Sequence, residues 1–260
     1  MMVAGYIFNS HSLVGATEIA WFPGERIFEP PRAALREPAI TFRYFQHSGE
    51  EFSEANVAGR LPILGWQKEG ISYQLSLEGG VFSTFQLSTE PRELKNSDFR
   101  ICLPLSFRKG NLSGRFQVYH QSSHLGDNYQ DKTGRKSNHF SREKAEFLIS
   151  KNAGPYRIYA GLGYFWHSTP FIPGWTGQVG WEFTKPIKRD WSFYLSQDLV
   201  TRKEFDWDVD LATQAGLEYH DAHHQQRLRI FIEYFSGHSP EGQFYQESED
   251  WLGIGTSFFL

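Results

Sequence analysis

The chain has a single cysteine, Cys102, among 260 residues. That excludes an intramolecular disulfide and any metal site built from several cysteines. No apolar run approaches the ~18 residues that a membrane-spanning helix needs. Positive charge is not in excess: 26 Lys and Arg stand against 30 Asp and Glu, for a net charge of -4. This balance argues against generic nucleic-acid binding. Walker, dinucleotide and zinc-protease motifs are missing, so the commonest phosphate and metal chemistries have no foothold. Hydrophobic residues make up only 40% of the chain, and the mean hydropathy is -0.49.

What the chain has in quantity is aromatic residues and strict alternation. Aromatics are 17%, with 23 Phe, 12 Tyr and 8 Trp. In the last ten residues, WLGIGTSFFL, one face carries Leu252, Ile254, Thr256, Phe258 and Leu260. The other carries Trp251, Gly253, Gly255, Ser257 and Phe259. A terminal strand with one continuous apolar face suits a transmembrane β-barrel, in which alternate side chains meet lipid. A soluble β-sandwich is the plain alternative for that strand alone. From residue 39 the chain resolves into about twelve such runs: 39–46, 57–66, 71–87, 97–108, 112–124, 142–151, 156–167, 175–184, 191–201, 207–219, 227–235 and 250–260. In one, Phe99, Ile101, Leu103, Leu105 and Phe107 oppose Arg100, Cys102, Ser106 and Arg108. In another, Leu228, Ile230, Ile232 and Tyr234 oppose Arg227, Arg229 and Glu233.

The connections carry a second, independent pattern. QKEG (67–70), RKGN (108–111), KNAGP (151–155), KPIKRD (185–190) and the segment near His220–Gln226 are short. They alternate with longer stretches at 48–56, 88–98, 125–141 and 236–249. Short turns at one end and long loops at the other are expected of an outer-membrane barrel and not of a sandwich. The sequence therefore predicts an all-β protein, a closed antiparallel transmembrane barrel of about twelve strands over 39–260, located in the bacterial outer membrane. Such a barrel has outer-membrane lipid as its partner and no nucleic acid.

The polar faces carry Arg100, Arg115, Arg157, Arg227, Arg229, Glu78, Glu146, Glu182, Asp198, Asp208, Asp210, Glu218 and Glu233. Both signs in a narrow lumen should pair, which predicts a largely filled interior. Trp66, Tyr156, Trp166, Trp175, Trp191, Trp207, Tyr219 and Trp251 fall near strand ends and suit interfacial girdles. Residues 1–38 do not fit the repeat. Their Pro-rich part, WFPGERIFEPPRAALREP, is unsuited to central sheet pairing and predicts a periplasmic or lumen segment. MMVAGYIF has no basic start and only a short apolar stretch, so it makes a poor export signal and stands as the main objection to the barrel.

One stretch could carry catalysis: RFQVYHQSSHLGDNYQDKTGRKSNHFSRE, from Arg115 to Glu143. By alternation His120 and Ser122 are neighbours on the lipid-facing side of one strand. A Ser nucleophile beside a His base suits ester hydrolysis of a lipid, with a third group to orient the imidazole. Asn138, Ser141 and Glu143 are the candidates for that third role. Polar residues at the headgroup level are the plain alternative. Asp127, Asn128 and Asp131 offer hard oxygen ligands for calcium, or simply a solvated loop. His220, His223 and His224 could bind a transition metal at a flexible turn.

At His120-Gln121-Ser122 the chain resembles outer-membrane phospholipase A. That resemblance implies a twelve-stranded barrel with His-x-Ser facing lipid and an Asn on the next strand. It departs from that family after the Ser, where Ser123-His124 replace Asn-Gly, and in the longer separation from His120 to Asn138. Across WFPGERIFEPPRAALREP, YHQSSHLGD and SNHFSRE the chain is similar to the domain-of-unknown-function 1207 family, barrels expected in the outer membrane. That second resemblance runs from about Val14 to the C-terminus and implies a fold and a location but no activity. Two functions follow as expectations. One is an integral barrel with a structural, adhesive or narrow-channel role and no cofactor. The other is a phospholipase A-like lipid esterase, for which calcium is the possible cofactor.

Overall fold

The computed structural model describes residues 19–171, 174–221 and 226–259. Twelve antiparallel strands close into a barrel: β2 (Ile40–His47), β3 (Glu50–Lys68), β4 (Ile71–Gln86), β5 (Glu93–Lys109), β6 (Leu112–Leu125), β7 (Phe140–Ala153), β8 (Tyr156–Thr169), β9 (Gly174–Lys188), β10 (Trp191–Arg202), β11 (Val209–Asp221), β12 (Gln226–His238) and β13 (Ser248–Phe259). Each strand pairs with its sequence neighbour, and β13 pairs with β2 to complete the ring. Closure leaves no edge to template aggregation. A short helix, α1 (Asp127–Thr133), lies between β6 and β7.

The period-two faces take the sides that their chemistry requires. Ile101, Leu103, Ile158, Leu162, Ile230, Ile232, Leu252 and Ile254 are exposed on the outer wall. Arg43, Glu54, Glu78, Arg115, Glu182, Asp198, Arg229 and Glu233 are buried inside. Lipid replaces water around the outside, so this inverted distribution is the stable one for a transmembrane barrel. Aromatic pairs sit directly opposite one another across strands: Trp66 on Tyr73, Tyr164 on Trp175 and Trp191 on Tyr219, with ring centroids 5.1–5.4 Å apart.

Several expectations need correction. The 48–56 stretch is not a long loop, because Ser48 and Gly49 alone make the turn and β3 starts at Glu50. Both residues have positive φ, 52° and 82°, the geometry that matches hairpin twist. Strands also run further into 88–98 and 236–249 than the turn residues suggest, leaving connections at 87–92 and 239–247. The 125–141 stretch holds α1, ended by Gly134 at φ 68°. Trp251 is not a girdle residue: it is 4% exposed and packs inward on Phe45 and Phe235. Asp208 faces water in the β10–β11 connection, not the lumen.

The N-terminal segment divides in two. Residues Ile19–Trp21 form β1, which pairs with Leu64–Trp66 of β3 beyond the end of short β2. The proline argument did not anticipate this pairing; Pro23 follows and ends it. Residues 25–38 then run through the interior as a strap. Its side chains and carbonyls meet strands β3 to β9, β11 and β12, which only a centrally placed segment can do.

Candidate functional site

Two regions carry polar chemistry beyond what a barrel wall needs. The first is on the outer face at the β6–β7–β8 strand ends. His120 and Glu143 are directly opposite in the ladder, as are Ser122 and Ser141. His120 Nδ1 lies 2.8 Å from Glu143 Oε1. Ser141 Oγ donates to the same oxygen at 3.5 Å. His167 Nε2 is 3.8 Å from Glu143 Oε2. With Nδ1 engaged by the carboxylate, His120 Nε2 is left for another partner. His120 is 46% exposed and Ser122 half-buried, both pointing outward. Among the described residues the Ser122 hydroxyl makes no hydrogen bond.

Of the three residues read as candidates to orient the imidazole, Glu143 is the one in contact. Ser141 touches Glu143 and not His120. Asn138 precedes β7, and its backbone N–H donates to Gln243 Oε1 at 2.8 Å, so it belongs to the outer loop cluster. His167 was not anticipated. Alternation from Trp166 points it inward, but β8 shifts register opposite Glu143 and Lys144, so Trp166 is skipped and both residues face outward. A bulge of this kind re-aims a side chain and leaves no trace in periodicity. Asp127, Asn128 and Asp131 lie exposed on α1, and among the described residues no three His, Cys, Asp or Glu groups converge on a metal position. His220 is the last but one residue of β11, whereas His223 and His224 lie outside the described residues.

The second region is the lumen, where the strap carries alternating charges. Arg32 bridges two walls, 2.6 Å from Glu182 and 3.0 Å from Glu218. Arg115 grips Glu37 through two bonds of 2.6 and 2.7 Å. Arg36 pairs with Glu54 and lies 3.5 Å from Asp98. Arg227 holds Glu29 through bonds of 2.5 and 2.8 Å. Burial alone would raise the Glu29 carboxyl, but the charge and hydrogen bonds of Arg227, with Arg26 and Arg32 near, hold it down at about 2. Phe28 packs on Leu148 and Tyr159. Wall-to-wall pairs continue the network, with Arg43 on Glu233 at 2.5 Å and Arg229 on Glu218 at 2.6 Å. The signal for this strap was present in the sequence as Glu25, Arg26, Glu29, Arg32, Arg36 and Glu37 among prolines.

The outer mouth is covered by the β12–β13 connection. Gln243 and Phe244 are each 2% exposed. Gln243 Nε2 donates to the carbonyls of Ser123 and Asn138 at 2.7 and 2.8 Å. Gly242 N donates to Asp98, and a Cβ at Gly242 would sit 2.5 Å from Ser123 Cβ. The loop is therefore pressed against the β5–β7 wall.

A family model described as a protein of unknown function, DUF1207, matches residues 21–260. The chain belongs to the DUF1207 family. No curated protein matches the sequence. Among solved structures, this DUF1207 chain is similar to an active-site mutant of outer membrane phospholipase A from Escherichia coli, at 14% identity over 88% of this chain and 93% of that one, with a TM-score of 0.56. It is also similar to the Salmonella typhi outer membrane phospholipase dimer with bound calcium, at 14% identity over 89% and 94% of the two chains and a TM-score of 0.53. The KdgM porin shares 9% identity over 85% and 99%, with a TM-score of 0.47. At 14% identity the likeness to the two phospholipase structures is one of fold: the DUF1207 chain is an outer-membrane-type barrel.

Proposed function

We propose that the protein is an integral barrel of the bacterial outer membrane whose lumen is closed by its own strap and outer loop. Its role is structural or adhesive, with at most a narrow channel. One observation carries the reading: residues 25–38 are bonded to nearly every wall strand, and the charges they present match those of the wall. An open pore would leave those wall charges to water. In planar bilayers the purified protein should show no steady conductance of porin size. A large, stable, ohmic conductance would overturn the proposal. For location, Lys136, exposed after α1, is replaced by cysteine. Lys136→Cys should react with an impermeant maleimide on intact cells, with little background because Cys102 is buried.

The contact of His120 with Glu143 supports a second reading, a phospholipase A-like lipid esterase. In it Glu143 holds the imidazole through Nδ1, and His120 Nε2 takes the proton of Ser122 as the hydroxyl attacks a phospholipid ester. The outward aim of the pair is what a lipid substrate requires. Fatty-acid release from phospholipid micelles, with and without calcium, tests it. Activity lost in Ser122→Ala with the fold retained would support this reading, whereas an inactive wild-type protein would leave the structural reading alone.

A further inference from the structure

Between the strap and the outer loop the lumen is not filled. A partly open cavity of about 200 Å³ lies there, floored by Ala34–Glu37 and roofed by Ser239, Pro240, Gly242 and Tyr245. At ~30 Å³ per water that is room for roughly six or seven waters, or a ligand of about nine or ten heavy atoms. Most charges around it are already matched. Arg142 is bidentate on Glu204 at 2.8 and 2.9 Å, Arg202 is 2.7 Å from Asp210, and Lys144 is 2.6 Å from Glu146.

Two lining charges are not matched. Arg100 has no carboxylate within 4.0 Å among the described residues. Its guanidinium stacks on Tyr119 at 4.0 Å and donates to the Arg36 carbonyl at 3.0 Å, and its Nε is buried with no partner. Asp198, 4% exposed, has no cation within that distance either. Tyr159 and Gln178 both donate to its Oδ1 at 2.8 Å, and no hydrogen bond is seen on Oδ2. Arg100 is on β5 and Asp198 on β10, nearly opposite in the ring order, and both line this cavity. Unpaired charges in a poorly hydrated interior are costly, and most of this interior pairs them; Glu78, 5% exposed, is a further exception outside this cavity.

We infer that this cavity is a binding site for a small organic acid, whose carboxylate meets Arg100 and whose far end donates a hydrogen bond to Asp198. Tyr119 and Phe165 flank the aliphatic middle of the ligand. The strap closes the floor, so the site is a blind pocket and not a stage of a conduction path. The inference stands apart from the esterase reading, whose residues are on the other face of the wall.

The test uses the full-length protein in detergent and three matched probes in calorimetric titrations: ω-hydroxyhexanoate, hexanoate and hexanediol. The hydroxy acid should bind best. Loss of its charge or of its hydroxyl should weaken binding about tenfold or more, the worth of one charge-assisted hydrogen bond. Arg100→Met should abolish the preference for hydroxy acid over diol, and Asp198→Asn should reduce the preference for hydroxy acid over hexanoate. No binding of the hydroxy acid at millimolar concentration, or equal binding of acid and diol, would each overturn the proposal. None of these readouts depends on conductance.

Discussion

The two faces of the same strands obey opposite rules. On the outer wall, Ile101, Ile158, Ile232 and Ile254 stand exposed, and the main polar interruption at the outer end is the group around Glu143. On the inner wall charged side chains stand among buried aromatics and amides, and most of those charges are matched by specific partners on the strap or a neighbouring strand. The outer face needs only apolar character, so neighbours there are interchangeable. The inner face is particular, because most buried charges depend on one or two named counter-charges. Two departures from these rules, the His120–Glu143 group outside and Arg100 with Asp198 inside, are where the functional proposals fall.

The contrast can be broken most severely at Arg32. Arg32→Met leaves Glu182 and Glu218 buried with one fewer cation each and should lower unfolding stability in urea by about 3–5 kcal/mol. A change under 1 kcal/mol would mean that the strap is not integral to the barrel. On the opposite face, Ile232→Arg puts a charge at the middle of β12, toward lipid, and should cost about 2–4 kcal/mol in lipid bilayers. The same change in a soluble sandwich would be mild, so a small effect would argue against membrane insertion.

Gln243→Leu should cost about 1–3 kcal/mol by orphaning the Ser123 and Asn138 carbonyls. It should also speed proteolysis of the 239–247 loop, which limited digestion followed by mass spectrometry would detect. The smallest effect belongs to Glu29, whose side chain is 31% exposed. Its carboxyl is lowered from an ordinary 4.5 to about 2 in the folded protein. It therefore contributes stability above pH ~4.5, and that contribution is lost as pH falls through 2. Wild type should lose more stability than Glu29→Gln between pH 6 and pH 3, and parallel unfolding curves would remove Glu29 from the acid response.

Much of the wall was legible in the sequence. Period-two alternation depends on neighbours in the chain, so the expected strands at 112–124, 156–167 and 191–201 agree with β6, β8 and β10 to within two residues. Where turn composition was the guide, the reading was poorer. The polar 48–56 stretch looks like a loop, yet it is the start of β3, because polar residues also suit the upper wall of a filled barrel. Trp251 was misjudged for a related reason: its place near a strand end outweighed its parity, which puts it inside. The candidate site was legible only in part. His120, Ser122 and Glu143 could be assigned to one face, but the choice of Glu143 over Asn138 rests on ladder register between β6 and β7.

By itself the sequence determined the class of fold, the number of strands and the side of the wall on which most residues lie. Those follow from alternation and hairpin chemistry, which act over a few residues. Only the tertiary structure decided that the Pro-rich segment threads the lumen, that Arg32 joins β9 to β11, that a bulge turns His167 outward, and that Arg100 and Asp198 are left facing a cavity. Each of these joins residues far apart in the chain, through Coulomb attraction and packing inside a closed ring. Such pairings come into being only when the ring closes, and no local pattern encodes them.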